Sequence, residues 1–359
     1  MSGILEKKLA RDFGYDHAVM LGRARSGLVA LLEVFQDKTA APTPVLLPEN
    51  ICPVLVTAIR AGGGCAVPVP VSPLTGLPDD TAFVAAMEQI ETPGIVSPTH
   101  LYGFEGVYPQ TIKLARQKGW FILENDANAI RMQSDSAPFG DALLVSFGYA
   151  KPIEVGTGGA FLTNDPVLAQ ALRDRVSTYD LLDSAAQMQE EECMLKRRAI
   201  RATLDTGSAE LARICDMETS LSRFRFDETS RDQLMDKLNH FPREKERRIE
   251  QRDLWDRALA PLDDILLPVP LNQPVPWRVI RNCPDYRDHF THALWHHNLD
   301  AGINYRSLWR EVPKNYLSGS PKLPDHWGEN VINLWLTPDY DRNKIYHATQ
   351  YLMETYDVL

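Results

Sequence analysis

The chain has 359 residues, 44% of them hydrophobic and 24% charged, a balance that suits a globular protein with two lobes and excludes extended disorder. A formal net charge of -10 offers nucleic acid and anionic lipid no general attraction. No run approaches the roughly 20 apolar residues of a membrane span, residues 1–11 lack the apolar core of a signal peptide, and five scattered cysteines form neither a metal knuckle nor a disulfide framework; the expectation is a cytoplasmic protein with reduced thiols.

Taken in chain order, short apolar runs alternate with stretches of helical periodicity, as expected where parallel strands are joined by crossover helices. Strands are predicted at 18–21, 43–47, 65–70, 94–97, 120–124, 142–146 and 159–163, with helices such as 54–61 and 108–118 between them. From about 166 to 235 the text is rich in Glu, Arg, Ala and Leu and predicts long helices. A Pro-rich segment, LLPVPLNQPVPW, then precedes a strand at 278–280, a helix at 286–298 and a last helix at 344–356. This order predicts an α/β fold, with a large domain over 1–240 and a small α+β domain over 241–359.

Three stretches could carry chemistry. In SFGYAKPIEVGTGGAFLTND (146–165) an apolar strand runs into a lone Lys151 and a Gly-rich turn. At the C-terminal edge of an open sheet, where such folds bind ligands, a desolvated lysine loses its proton readily and attacks an aldehyde, which is Schiff-base chemistry. In GRARSGLVALLEVF (22–35) a turn opens a helix whose N–H groups and positive dipole end suit a phosphate, with Arg25 and Ser26 as the cradle. In WFILENDANA (120–129) a strand ends abruptly in Glu124, Asn125, Asp126 and Asn128, polar groups placed to face a site.

Two further patterns have bland readings. His289, His292 and His296 share one helical face, but with no carboxylate or Cys at close spacing they read as packing histidines, and no metal is expected. The run REKERRIEQR (243–252) mixes both charges at helical spacing and reads as a solvated, salt-bridged helix.

The order of these pieces resembles the DegT/DnrJ/StrS family of aminotransferases dependent on pyridoxal 5'-phosphate (PLP), over nearly the whole chain. Its Ser-Phe-x-x-x-Lys pattern followed by Gly-x-Gly-Gly is met by Ser146, Phe147, Lys151, Gly156, Gly158 and Gly159. PTHLYG (98–103), LPENICPVLVTAIRAGG (47–63) and AGINYRSLW (301–309) are similar to further motifs of that family. The resemblance implies the fold type I architecture of PLP-dependent transferases, a mostly parallel seven-stranded sheet in the large domain, and a homodimer. It makes Lys151 the Schiff-base lysine and proton shuttle, puts Ser146, Arg25 and Ser26 on the cofactor phosphate, and sets Asn128 near the 3-oxygen. Tyr102, Tyr305 and Arg306 become candidate substrate contacts. The implied reaction transfers an amino group from an amino acid, expected to be glutamate, to a keto substrate, expected to be a nucleotide-linked keto sugar.

The sequence departs from the family at three places. The text Glu-Asp-Ala-Ala-Gln/His is replaced by Glu124, Asn125, Asp126, Ala127, Asn128, so a gapless match sets Asn125 opposite the pyridine nitrogen. The need for a carboxylate there favours Asp126, presented through a one-residue bulge. Cys52 stands where many relatives carry an aromatic that could stack near the cofactor, and the family's Asn-x-Arg motif is not legible in SLSRFRFDETS, leaving Arg223 or Arg225 to replace it. Two alternatives stay open: a PLP enzyme of another reaction type (lyase, racemase or condensation), and a catalytically silent member acting as scaffold or sensor.

Overall fold

A nine-stranded sheet organises the larger lobe in the computed structural model, which describes residues 3–37, 41–132, 137–203, 209–319 and 326–358. The strands are β1 (His17–Leu21), β2 (Thr43–Pro48), β3 (Gly64–Val69), β4 (Ile95–Val96), β5 (Phe121–Asn125), β6 (Ala142–Ser146), β7 (Gly159–Thr163) and the short β8 (Asp180–Leu181) and β9 (Phe224–Arg225). Their order is β3-β2-β4-β5-β6-β7-β1-β9-β8, so the seven strands expected from the sequence are all present and adjacent, and two short ones extend the sheet. From β3 through β6 every pair is parallel, while β7 runs antiparallel to both β6 and β1.

Alternation along the strands explains the burial. On β6, Leu144 joins one apolar cluster with Leu28, Val29 and Leu32 of α2 (Ala24–Gln36), whereas Leu143 and Val145 join another with Leu5 and Leu9 of α1 (Gly3–Phe13). Further helices, α3 (Val54–Ala61), α4 (Asp80–Glu88), α5 (Pro109–Lys118) and α6 (Pro166–Ser177), complete the crossovers. They are followed by α7 (Ser184–Thr203) and α8 (Ala209–Ser220).

The 29-residue α9 (Arg231–Leu259) joins the lobes. Its Leu234, Leu238 and Phe241 pack in a cluster of the large lobe, its Trp255, Ala258 and Leu259 in the core of the small lobe, and Pro242 lies at the hand-over. The border expected after residue 240 therefore falls inside a continuous helix.

The small lobe has a four-stranded antiparallel sheet, ordered β10 (Leu267–Pro268), β11 (Val279–Asn282), β13 (Val331–Leu334), β12 (Ala301–Gly302). With it go α10 (Arg287–His296), the short α11 (Leu308–Glu311) and α12 (His326–Asn330), and α13 (Arg342–Asp357). The period of two again assigns faces. Val279, Ile332 and Leu334 build the small-lobe core, while Ile280 and Val331 turn to the large lobe and join its main cluster. By the same alternation Gly302 and Asn333 belong to the face turned toward the large lobe, as does Arg278 one residue before β11. Among the described residues no helix is long and apolar enough to cross a membrane.

Candidate active site

One edge of the large sheet collects the polar residues. Ser146, last in β6, pairs with Gly159, first in β7, which in turn pairs with Leu21, last in β1. A Cβ on Gly159 would stand 2.7 Å from the Cα of Ala24, so the first turn of α2 sits directly on this edge, beside the end of β5.

Lys151 lies in the loop leaving β6. The loop is fixed from several sides: Trp277 Nε1 donates to Ala150 O, Ala150 N donates to Glu154 Oε2 at 2.9 Å, and Val155 N donates to Phe147 O at 2.9 Å. The half-buried lysine donates from Nζ to Asn128 Oδ1 at 2.6 Å, and Nζ stands 5.7 Å from the centre of the Trp277 ring. Burial, with a further contribution from the charge of Arg278, lowers its pKa to about 8. The amine therefore gives up its proton more readily than an ordinary lysine, though it remains mostly protonated below pH 8.

The lysine's surroundings are largely aromatic. Tyr305 stacks on Trp277 with centroids 6.0 Å apart and planes 4° from parallel, and it reaches Asn128 with its hydroxyl. Cys52 lies close enough to act electrostatically on both Lys151 and Tyr305. The aromatic surface that Cys52 does not provide thus comes from the small lobe.

At the end of β5 a different cluster forms. Asp126, fully buried, accepts from Arg131 N at 2.6 Å and from Arg131 Nε at 3.1 Å. Arg131 also donates to Glu124, whose Oε1 lies 3.0 Å from His100 Nε2. Burial alone would raise the pKa of Glu124, but the hydrogen bond with His100 and the charges of His100 and Arg131 outweigh it and hold the carboxyl below its ordinary value. Burial likewise works against the Arg131 cation, and Asp126 and Glu124 more than offset it.

Several expectations need correction. Asp126 has both carboxylate oxygens on Arg131, so it does not face the site mouth. Asn125 is left there: its Oδ1 accepts from Ala127 N at 3.1 Å, and its Nδ2 has no partner among the described residues. Ser26 is turned inward, its Oγ accepting from Phe224 N at 3.1 Å and its N donating to Arg23 O at 3.0 Å. The Arg25 side chain is held by Glu190 and Leu221 O, and Arg23 shares that same Glu190. A phosphate at this helix end would meet main-chain N–H groups, not those two side chains. Tyr102 is fully buried, and its hydroxyl accepts from Tyr305 N and Trp327 Nε1, both at 2.9 Å; it is a hub between the lobes, not an exposed substrate contact.

Of the other expected residues, Asn128 and Tyr305 lie near the lysine. Asn128 touches it, and Ser146 ends the neighbouring strand with its Oγ accepting from Gly148 N at 3.4 Å. Tyr305 stacks on Trp277, the ring that Lys151 faces, and Arg306 is buried. Arg223 is tied to Glu33 and Ala61 O within its own chain, whereas Arg225 is exposed. Among the described residues no group of three or more His, Cys, Asp or Glu is placed to hold a metal. Sequence reasoning gave no site role to Trp277, Arg278, Arg131 or His100, although His100 lies in the PTHLYG motif; the only signal for the first two was an indole ending a Pro-rich segment.

The residues present fit PLP: an amine of lowered pKa with an amide acceptor beside it, a helix N-terminus at the same edge, and a wall of aromatic rings. Fold and site together define an enzyme of the fold type I PLP class. The chain belongs to the DegT/DnrJ/EryC1/StrS aminotransferase family, whose model matches residues 3–352. Among solved structures it is similar to a DegT/DnrJ/EryC1/StrS aminotransferase from Brucella abortus, with 20% identity, 98% of this chain and 89% of that one covered, and a TM-score of 0.74. It is similar to Helicobacter pylori PseC, an aminotransferase involved in the biosynthesis of pseudoaminic acid, at 16% identity, 100% and 91% coverage and a TM-score of 0.74. DesI, solved with its TDP-sugar product, aligns at 19% identity, 98% and 83% coverage and a TM-score of 0.71. No curated protein matches the sequence.

Proposed function

We propose that this chain is a cytoplasmic, homodimeric PLP-dependent aminotransferase that moves an amino group from glutamate to a nucleotide-linked keto sugar. The observation that carries the reading is the Lys151 amine, held at the sheet edge with its pKa lowered to about 8. Family membership supports amino transfer, and the TDP-sugar in DesI supports the acceptor class.

When bound, PLP supplies an electron sink for the loss of a substrate Cα proton. Lys151 is the amine that carries the cofactor and then moves the proton, with Asn128 orienting Nζ through the 2.6 Å contact. Ser146 and the first turn of α2 receive the phosphate. Asn125 would turn its Nδ2 donor toward the ring nitrogen, which would then stay unprotonated, so the sink would be weaker than an Asp would make it.

That same amide favours a second reading, a PLP reaction of another type. Purified holoenzyme incubated with glutamate and a panel of nucleotide-linked keto sugars, followed by mass spectrometry, separates the two. Amino transfer predicts 2-oxoglutarate and an aminated sugar in equal amounts; racemised or cleaved amino acid without an aminated sugar contradicts it.

A further inference from the structure

Glu190, from α7, ties two arginines together at the opening of α2. Its carboxylate accepts from Arg23 Nη2 at 2.6 Å and from Arg23 Nε at 3.2 Å, and it also accepts from Arg25 Nη2. All three side chains are half-buried. Arg23 heads α2 in extended conformation, and its side chain makes no capping bond to the helix. Instead its Nη1 donates to Gly156 O at 2.6 Å. One guanidinium thus reaches α7 along one edge and the Gly-rich turn after Lys151 along another, which the flat fork of an arginine allows and the single point charge of a lysine does not.

The main chain follows the same seam. Gly158 N donates to Gly22 O at 2.8 Å, Thr157 Oγ1 donates to that oxygen at 3.0 Å, and Arg23 pairs with Gly158 in a parallel bridge. Gly156 and Gly158 lie at φ +77° and +90°, the left-handed region open to glycine, and so let the turn fold back onto residues 22 and 23. Residues 22 and 23 therefore open α2 and, at the same time, hold the turn that follows Lys151.

We infer that Arg23 is a positioning residue for the cofactor, a strap anchored on Glu190 that sets the gap between the Lys151 loop and the phosphate cradle at the first turn of α2. This deepens the proposed function and rests on it. The aldehyde and the phosphate of PLP are carried on neighbouring atoms of one rigid ring, so the lysine and the main-chain N–H groups of α2 must stand at a matching separation. Arg23 acts through that separation and does not touch the phosphate. Glu190 sets a negative charge close to a helix end that attracts anions, so a strap and a simple charge attraction predict opposite effects when that charge is removed.

The test titrates the cofactor-free, full-length chain with PLP and with pyridoxal, which also condenses with a lysine amine but has no phosphate, and follows the visible band of each. The ratio of the two half-saturation concentrations isolates the phosphate. Arg23→Met should cut the wild-type preference for PLP roughly tenfold and leave pyridoxal binding within about twofold. Arg23→Lys, which keeps the charge but not the fork, should recover only part of the preference, and Glu190→Gln should weaken PLP binding selectively; these two carry the test if the Met variant does not fold. An unchanged preference in Arg23→Met, equal weakening of both ligands, full recovery in Arg23→Lys, or tighter PLP binding in Glu190→Gln overturns the assignment. A wild-type protein that shows no visible band, or no preference for PLP over pyridoxal, refutes instead the cofactor reading or its phosphate cradle, on which this inference rests.

Discussion

Two groups of buried charge stand at the C-terminal edge of β5 and β6, and they differ in how far the chain compensates them. At the end of β5, Arg131 is matched by Asp126 and Glu124, and Glu124 by His100, so every charge has a partner from its own lobe. At the end of β6, Lys151 Nζ bonds to the Asn128 amide and faces the Trp277 ring, and among the described residues neither it nor the Arg278 side chain forms an ion pair. A satisfied cluster holds structure; an unsatisfied one keeps its interaction capacity for something that arrives from outside. The contrast also sets apart Asp126, the more attractive residue by chemistry alone, whose two carboxylate oxygens both bond to Arg131. Its charge is already used.

The comparison can be broken at several points. Lys151→Ala should reduce the half-reaction with an amino donor by roughly ten-thousand-fold, measured by rapid-mixing absorbance, while leaving the melting transition of the cofactor-free protein nearly unchanged. Retention of more than a small fraction of the rate would move the chemistry elsewhere. Next in size, Arg131→Met should cost about 3–5 kcal/mol in urea unfolding because it strands buried carboxylates, whereas Arg278→Met, which removes an uncompensated charge and two cation–π contacts, should cost within about 1 kcal/mol. Equal losses would erase the distinction between the two clusters.

A smaller effect separates the neighbours on β5. Asn125→Ala should slow the half-reaction about tenfold, or roughly 1.4 kcal/mol of barrier, with little change in stability. Asp126→Ala should do the reverse, and a rate loss confined to Asp126 would restore the carboxylate to the ring nitrogen. The mildest expectation concerns pH. Because the pKa of Lys151 is lowered to about 8, the neutral amine is scarce below that pH, and PLP uptake by the cofactor-free protein should quicken roughly tenfold per unit up to it and level off above. A profile still rising toward the ordinary lysine range would mean the amine is not desolvated.

Legibility in the sequence followed the range of the interaction. The seven central strands and the Lys151 loop could be read from local text, because strand periodicity and Gly-rich turns are set by neighbours along the chain. The family motif reached Asn128 in the same way. What escaped depends on contacts between distant segments: Trp277 bonding to Ala150, Arg278 facing the large lobe across β11, and Tyr102 joining Trp277, Tyr305 and Trp327 at the lobe junction. Arg131 lies five residues from Asp126 and was within reach, since a buried carboxylate needs a partner and a nearby arginine in the same turn is the obvious one. The inward turn of Ser26 was not legible, because its partner Phe224 comes from a two-residue strand far along the chain.

The most direct measurement is chemical. Holoenzyme is reduced with borohydride, digested, and searched by mass spectrometry for a phosphopyridoxyl-modified lysine. The account predicts the modification on Lys151 alone, blocked when aminooxyacetate is added first. A modification on another lysine, or none in a protein that has taken up PLP, would contradict it.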